Sequence, residues 1–312
     1  MSLHAPHQRG TPASSVRLVM LAGRVRITLF SDAGCPWAYS AVPALRVLEW
    51  RYGDQLGWRL VLIGLTERAE QYVERGYTPL KSARGYASRF RRYGMPFAPE
   101  PRARVIGTGR ACRAVAAARI LVPGSEWAVF RALQFAWFTS TLLLDEDATI
   151  REAIAGVPGI DAEAVVGLLD REDVVEAYER DRAEARTAAG SPTEFQGKSA
   201  ATDGPVRYTA PSVIFERGET RLEAGGFQPV EAYDVLVANL DPALRREPPP
   251  ETPEPLLGRF PVGLTTQEVA ACLARGNDPP DRPAAESALL ELVADGKASR
   301  TPLGDDAHWS PL

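Results

Sequence analysis

Apolar and polar positions alternate in two rhythms along the chain. Arg24–Phe30 is a short apolar, β-prone run, and Gly57–Leu65 is a second. Between them Pro36–Tyr52 has the longer helical period, with Gly53 placed as its stop and Pro43 placed to kink it. Strand, helix, strand over some forty residues is a βαβ unit. Residues 66–104 have no clear period and are rich in Arg and Tyr, so they read as an irregular, lid-like or solvated surface. Helical spacing then returns at Arg110–Leu121, Glu126–Thr139, Asp147–Ala155, Ala162–Leu169 and Glu172–Ala189, with no strand signal among them. Strand character resumes at Ser212–Phe215. Arg217-Gly218 predicts a turn, Thr220–Ala224 a return strand and Pro229–Leu240 a last helix.

Beyond that helix the pattern changes again. Residues 246–258 carry a proline-rich stretch that predicts a stiff linker. In 259–312, Thr265-Thr266-Gln267-Glu268 is a capping box opening a helix, with Val269 and Leu273 inward. Ala284–Ala294 reads as a second helix, and Gly304-Asp305-Asp306 as the tip of a hairpin ending at Trp309. Helix, helix, hairpin is a winged-helix-like order. This unit has five Lys and Arg against eight Asp and Glu, a net −3 that opposes phosphate contact.

Composition narrows the class. The apolar fraction is 45%, the charged fraction 24% and the net charge −4, which gives no electrostatic case for nucleic acid or anionic lipid. No apolar run reaches the length of a membrane helix, and the Val16–Gly23 stretch is too short and interrupted for a signal peptide. The expected location is the cytoplasm, and residues 1–24 read as a flexible tail. The three histidines, His4, His7 and His308, are too few and too scattered for a metal site or a Ser-His-Asp triad. The three cysteines, Cys35, Cys112 and Cys272, contain no C-x-x-C pair.

Cys35 is the candidate for chemistry. It follows a strand and a small-residue turn, Ser31-Asp32-Ala33-Gly34, and precedes Pro36 at the first helical position. Unpaired backbone N–H groups and the positive helix end meet there, so the expectation is a depressed thiol pKa. Position 38 is alanine, so the second cysteine of a dithiol motif is missing. Cys272 falls on an apolar helix face and reads as core. Cys112, on an Ala-rich helix, reads first as packing.

Four segments in order resemble the DsbA-like branch of the thioredoxin superfamily. These are Asp32-Ala33-Gly34-Cys35-Pro36-Trp37, the helical block after the βαβ unit, Thr209-Ala210-Pro211-Ser212-Val213-Ile214-Phe215, and Gly225-Gly226-Phe227-Gln228-Pro229-Val230-Glu231-Ala232. The nearest patterns are the FrnE-type oxidoreductases, the chromene-carboxylate isomerases and the kappa-class glutathione transferases.

The resemblance implies an α/β, thioredoxin-like domain of residues 25–65 and 192–245, split by an all-helical insertion of 66–191. It makes Cys35 the nucleophile, shaped by Pro36, Trp37 and Ala38. Pro211 would be cis, with the backbone of Ala210 turned towards the sulfur to pair with a thiol or peptide. Thr108 and Arg113 fall where relatives place a polar or basic group near the thiol ligand. Cys112 stays a candidate resolving thiol. The function implied is a monothiol thiol–disulfide oxidoreductase using a small thiol such as glutathione or mycothiol, with no tightly bound cofactor or metal. Two alternatives stand beside it: a glutathione- or mycothiol-dependent transferase or isomerase with an electrophilic substrate, and a non-enzymatic redox-sensing or adaptor protein. A homodimer is left open.

Overall fold

The computed structural model describes residues 24–312, so the expected tail lies outside the described residues but for Arg24. The apolar runs 25–31 and 56–62 become parallel strands β1 (Val25–Ser31) and β2 (Leu56–Leu62), in register from Val25–Leu56 to Ser31–Leu62. They are joined by helix α1 (Pro36–Tyr52), which runs continuously through Pro43.

The chain then forms short helices rather than one irregular surface. They are α2 (Ala69–Glu74), α3 (Pro79–Gly85), a π turn at Tyr86–Phe90 and a 3-10 turn at Arg91–Tyr93. Each is too short to print a period on the sequence. Tyr86, Phe90 and Phe97 are buried here, and Tyr39 of α1 stacks on Phe138 with centroids 4.6 Å apart and meets Phe97 edge-on at 5.4 Å. Aromatic burial therefore fastens this arm to the body.

The helical block is α4 (Gly109–Leu121), α5 (Glu126–Thr139), α6 (Asp147–Ile154), α7 (Ala162–Gly167) and α8 (Glu172–Ala185). A one-turn helix α9 (Pro192–Phe195) and a small ladder, β3 (Ser199–Ala200) with β4 (Arg207–Tyr208), follow; neither was expected. The hairpin of β5 (Ser212–Arg217) and β6 (Thr220–Gly225) then completes a four-stranded sheet in the order β2-β1-β5-β6, with β5 antiparallel to both neighbours. Helix α10 (Val230–Leu240) closes it. This is a thioredoxin-like α/β sheet with an inserted helical region.

The C-terminal stretch begins with helix α11 (Glu254–Arg259), where the proline content had predicted linker. Proline is tolerated in a first helical turn, which is where Pro255 stands. Next come β7 (Leu264–Thr265), α12 (Thr266–Leu273), α13 (Arg282–Ala294), β8 (Ala298–Leu303) and β9 (Asp306–Pro311). The three strands pair antiparallel in the order β7-β9-β8. Thr265 and Glu268 form the capping box, each satisfying the other's backbone N–H. Leu256, Leu264, Val269 and Trp309 fill the core of this unit, and Val47 of α1 packs into it. No helix among the described residues is long and apolar enough to cross a membrane.

Candidate active site

Strand β1 ends in a turn that one carboxylate organises. Asp32 Oδ1 accepts a hydrogen bond from the Gly34 N–H at 2.8 Å, and the Cys35 N–H donates to the Asp32 carbonyl at 3.2 Å. Gly34 lets the helical block press on the turn: a Cβ there would stand 2.7 Å from both Thr108 Cγ2 and Trp137 Cζ2. Cys35 is the residue before α1, in extended conformation, with Pro36 in the first turn.

The sulfur faces β5. Cys35 Sγ donates to the Ala210 carbonyl at 3.1 Å, and the Ala210–Pro211 bond is cis. Cys35 is 5% exposed and shares an apolar cluster with Ala38, Ala210 and Tyr208. Burial pushes its pKa up to about 12, with the Asp32 charge adding to the rise and the N–H groups of Ala38 and Trp37 opposing it. The expectation of a depressed value is therefore corrected. The helix start does supply N–H groups, but removing the sulfur from water outweighs them. Donation to Ala210 also favours the protonated thiol.

Beneath Cys35 lies a second polar centre that the sequence reading did not single out. Asp32 is fully buried. Its Oδ2 accepts from the Leu65 N–H at 2.8 Å, from Thr108 Oγ1 at 2.9 Å and from Cys112 Sγ at 3.6 Å. All four donors are neutral, and burial raises the Asp32 pKa in spite of them. Thr108 Oγ1 also lies 3.3 Å from the Thr66 carbonyl, so its proton has a second acceptor if Asp32 is protonated. The signal in the sequence was a carboxylate immediately after an apolar strand and three residues before the thiol.

The remaining candidates divide. Trp37 packs edge-on to Phe90 at 4.9 Å and against Phe227 at 5.7 Å, roofing the helix start. Thr108 is buried against Asp32, whereas Arg113 pairs with Glu67 at 3.1 Å and Asp170 at 3.3 Å. Cys112 is fully buried in the main core, its pKa pushed well up by burial and by Asp32. All three cysteines are free thiols, and Cys272 is buried in the C-terminal core. Among the described residues no group of His, Cys, Asp and Glu is arranged to hold a metal ion.

A cavity of about 540 Å³ opens on Cys35, Pro36 and Trp37; Thr108, Cys112, Arg113, Ala210 and Pro211 do not line it. Its other wall is the arm of residues 72–106, with Arg207 and Thr202 at one side. A second hollow, of about 620 Å³, lies between Trp50, Gly53, Arg245 and Arg259 and holds no cysteine.

A thiol before a helix, aimed at the carbonyl preceding a cis-proline, agrees with the comparison of sequences. The DSBA-like thioredoxin domain matches residues 26–209. The chain belongs to that family. It is thus placed among thiol–disulfide oxidoreductases of DsbA type. No curated protein sequence matches it. Its fold is similar to that of a Streptomyces coelicolor DsbA oxidoreductase, at 18% identity and a TM-score of 0.54, covering 70% of this chain and 91% of that one. A Nitrosomonas europaea protein assigned as a protein disulfide isomerase is similar too, at 17% identity and a TM-score of 0.53, covering 69% and 97%. The family match ends at residue 209, so Pro211, β5, β6, α10 and the C-terminal unit lie outside it.

Proposed function

We propose that the protein is a monothiol thiol–disulfide oxidoreductase in which Cys35 acts alone and a low-molecular-weight thiol completes the cycle. One observation carries the reading: the cavity that reaches Cys35 is lined by no second cysteine, and position 38, one turn along α1, is a buried alanine. In the first step the Cys35 thiolate attacks one sulfur of a disulfide, forms a mixed disulfide and releases the other half as thiolate. A second small thiol then attacks the outer sulfur, leaves as a new disulfide and returns the electron pair to Cys35. The thiol must first lose its proton, so a substrate that displaces the bond to Ala210 and brings polar groups beside the sulfur would lower its pKa. Asp32, buried with no cation in contact, is a group whose protonation state the thiol would sense.

A second reading rests on the protonated sulfur. A thiol that donates a hydrogen bond could instead hold a bound thiol cofactor, making the protein a glutathione- or mycothiol-dependent transferase or isomerase. For the C-terminal stretch we propose a winged-helix-like unit packed on its own chain. Its order of helix, strand, two helices and hairpin supports this, and its negative balance argues against duplex binding.

Intact-mass analysis after treatment with oxidised glutathione separates these readings. The wild type should gain one glutathionyl adduct, lost in Cys35→Ser. Ala38→Cys should lose two hydrogens, because residues at i and i+3 share a helix face. Loss of two hydrogens by the wild type would make Cys112 the resolving thiol and end the monothiol reading. No reaction at all would favour the second reading.

A further inference from the structure

The protein is acidic overall, with a net charge of −4, yet the cavity over Cys35 is basic. Six cations line it: Arg75, Lys81, Arg89, Arg102, Arg104 and Arg207, with Glu100 as the one acid. Arg104 is neutralised by Asp145 at 2.6 Å and Glu146 at 2.7 Å. Among the described residues Arg75, Lys81, Arg89 and Arg102 form no ion pair, and Arg207 has only a shared one. Arg102 is held by backbone carbonyls, at 3.0 Å from Leu142 and 3.3 Å from Ser140, and lies over the Trp137 ring. Lys81 donates to the Gly76 carbonyl at 3.0 Å. Arg75 reaches the Thr202 carbonyl at 3.4 Å.

Arg207 is the deepest of them. Its side chain is 7% exposed, and Nε is buried without a hydrogen-bond partner among the described residues. Asp203 stands 3.8 Å away but is shared with Arg182 at 3.3 Å and with Arg186. Arg182 also pairs with Glu179 at 3.0 Å, so Arg186 and Arg207 are left to share Asp203, and a positive excess remains at the cavity's side. A buried, undersatisfied guanidinium is costly unless something supplies the missing acceptor.

We propose that this cavity selects ligands bearing carboxylate groups, with Arg207 and the exposed Arg75 and Arg89 as the anion-binding groups. Aromatic side chains of Trp37, Tyr72 and Trp137 supply the apolar surface for the ligand's body. Resting on the thiol reading above, the inference names the co-substrate class: a peptide-like thiol with free carboxylates. A neutral sugar thiol such as mycothiol gains nothing from these cations. Partial enclosure strengthens each ion pair, and the charge-assisted hydrogen bonds fix the ligand's orientation.

Binding, measured apart from chemistry, tests this. The probes are S-methylglutathione and its diethyl ester, titrated calorimetrically into the Cys35→Ser protein. The acid should bind at least about tenfold tighter than the ester at low salt, and the gap should shrink in molar salt as charges are screened. Arg75→Gln with Arg89→Gln, both at exposed positions, should narrow the gap at least about threefold without loss of fold; Arg207→Gln should narrow it further. Equal affinities, tighter binding of the ester, or no binding of either at millimolar concentration would overturn the proposal. These outcomes are independent of the mass experiment. An adduct on Cys35 with equal affinities sinks charge selection alone, while charge selection without an adduct sinks the disulfide chemistry alone.

Discussion

Asp32 and Glu268 are both fully buried carboxylates, and their surroundings push them in opposite directions. Glu268 stands where three parts of the molecule meet. Its Oε1 accepts from Arg46 of α1 at 3.3 Å and from Arg131 of α5 at 2.8 Å; its Oε2 accepts from Arg131 at 2.7 Å and from Thr265 at 2.8 and 2.9 Å. Despite its burial, these arginines hold its pKa down at about 2. Asp32 has four donors and no cation in contact, and its pKa is raised. Charged donors compensate burial and make Glu268 a permanent anion that ties the C-terminal unit to the sheet and the helical block. Neutral donors compensate it only in part, leaving Asp32 with a protonation state that its neighbours can shift.

The largest effect should come from breaking the compensated site. Glu268→Ala leaves Arg131 without its acid partner and Arg46 with Glu49 alone, their side chains 12% and 15% exposed. Removing one member of a buried pair typically costs about 3–5 kcal/mol, so urea unfolding should show a loss of that size. Asp32→Asn should cost far less or stabilise, because it removes a buried charge that no cation balances. The acid limbs should differ as well. Glu268 titrates lower folded than its ordinary 4.5, so its contribution is complete above that value and is lost as pH falls from about 4.5 to 2. For Asp32 the sign reverses. Its contribution is full below its ordinary 3.8 and is lost as pH rises through its higher folded value. Wild type should therefore lose stability steeply below pH 4.5, and Glu268→Gln should flatten that limb. If Glu268→Gln keeps the steep limb and Asp32→Asn removes it, the two carboxylates have been assigned the wrong way round.

A smaller effect should appear at the thiol. With the Cys35 pKa near 12, its alkylation rate should climb about tenfold per pH unit from 7 to 10 without a plateau. Asp32→Asn removes one of the charges that raise it, and the rate at pH 8 should increase several-fold. Thr108→Val should raise the rate too, by less than Asp32→Asn, since losing that donor raises the Asp32 pKa further and weakens the charge beside the sulfur. A plateau below pH 9 in the wild type would return Cys35 to the depressed value that a helix start alone suggests.

The difference between the two carboxylates also separates what the sequence could say from what it could not. Strands β1, β2, β5 and β6 and helices α1, α5 and α10 are legible because each is long enough to repeat its period. Cys35, Pro36, Pro211 and the Glu268 capping box are legible because their signals lie within a few neighbouring residues. Asp32 is in plain view, but its role depends on Leu65, Thr108 and Cys112, which are 33, 76 and 80 residues away along the chain. The thiol pKa is misjudged for the same reason. The N–H groups that lower it are local, whereas the burial that raises it comes from Ala210 and the walls around it. The arm of residues 66–104 hides its contribution because its helices are only six and seven residues long and its anchors, Tyr86, Phe90 and Phe97, follow no period.

The smallest expected effect asks whether the two regions communicate. The β8–β9 hairpin tip sits on the cavity arm: the Phe97 N–H donates to Asp305 Oδ1 at 2.7 Å, and the Asp305 N–H donates to the Phe97 carbonyl at 3.1 Å. Asp305 also pairs with Arg91, through side chains 25% and 48% exposed. An ion pair so open to water contributes at most about 1 kcal/mol, so Asp305→Asn, which keeps an acceptor for Phe97, should leave global stability nearly unchanged. Asp305→Ala also removes that acceptor and should cost about 1 kcal/mol or slightly more. Its consequence should be local. Hydrogen exchange of the amides from Tyr86 to Val105 should quicken while that of β1 and β5 does not. Phe97 leads on to Arg102, and Phe90 packs on Trp37, so a loosened arm should also expose Cys35 and raise its alkylation rate modestly. Quickened exchange with an unchanged alkylation rate would mean that Trp37 shields the sulfur without help from the C-terminal unit. Exchange that quickens equally in β1 would mean that the hairpin supports the whole sheet, and the contrast between a fixed back and a responsive front would fail.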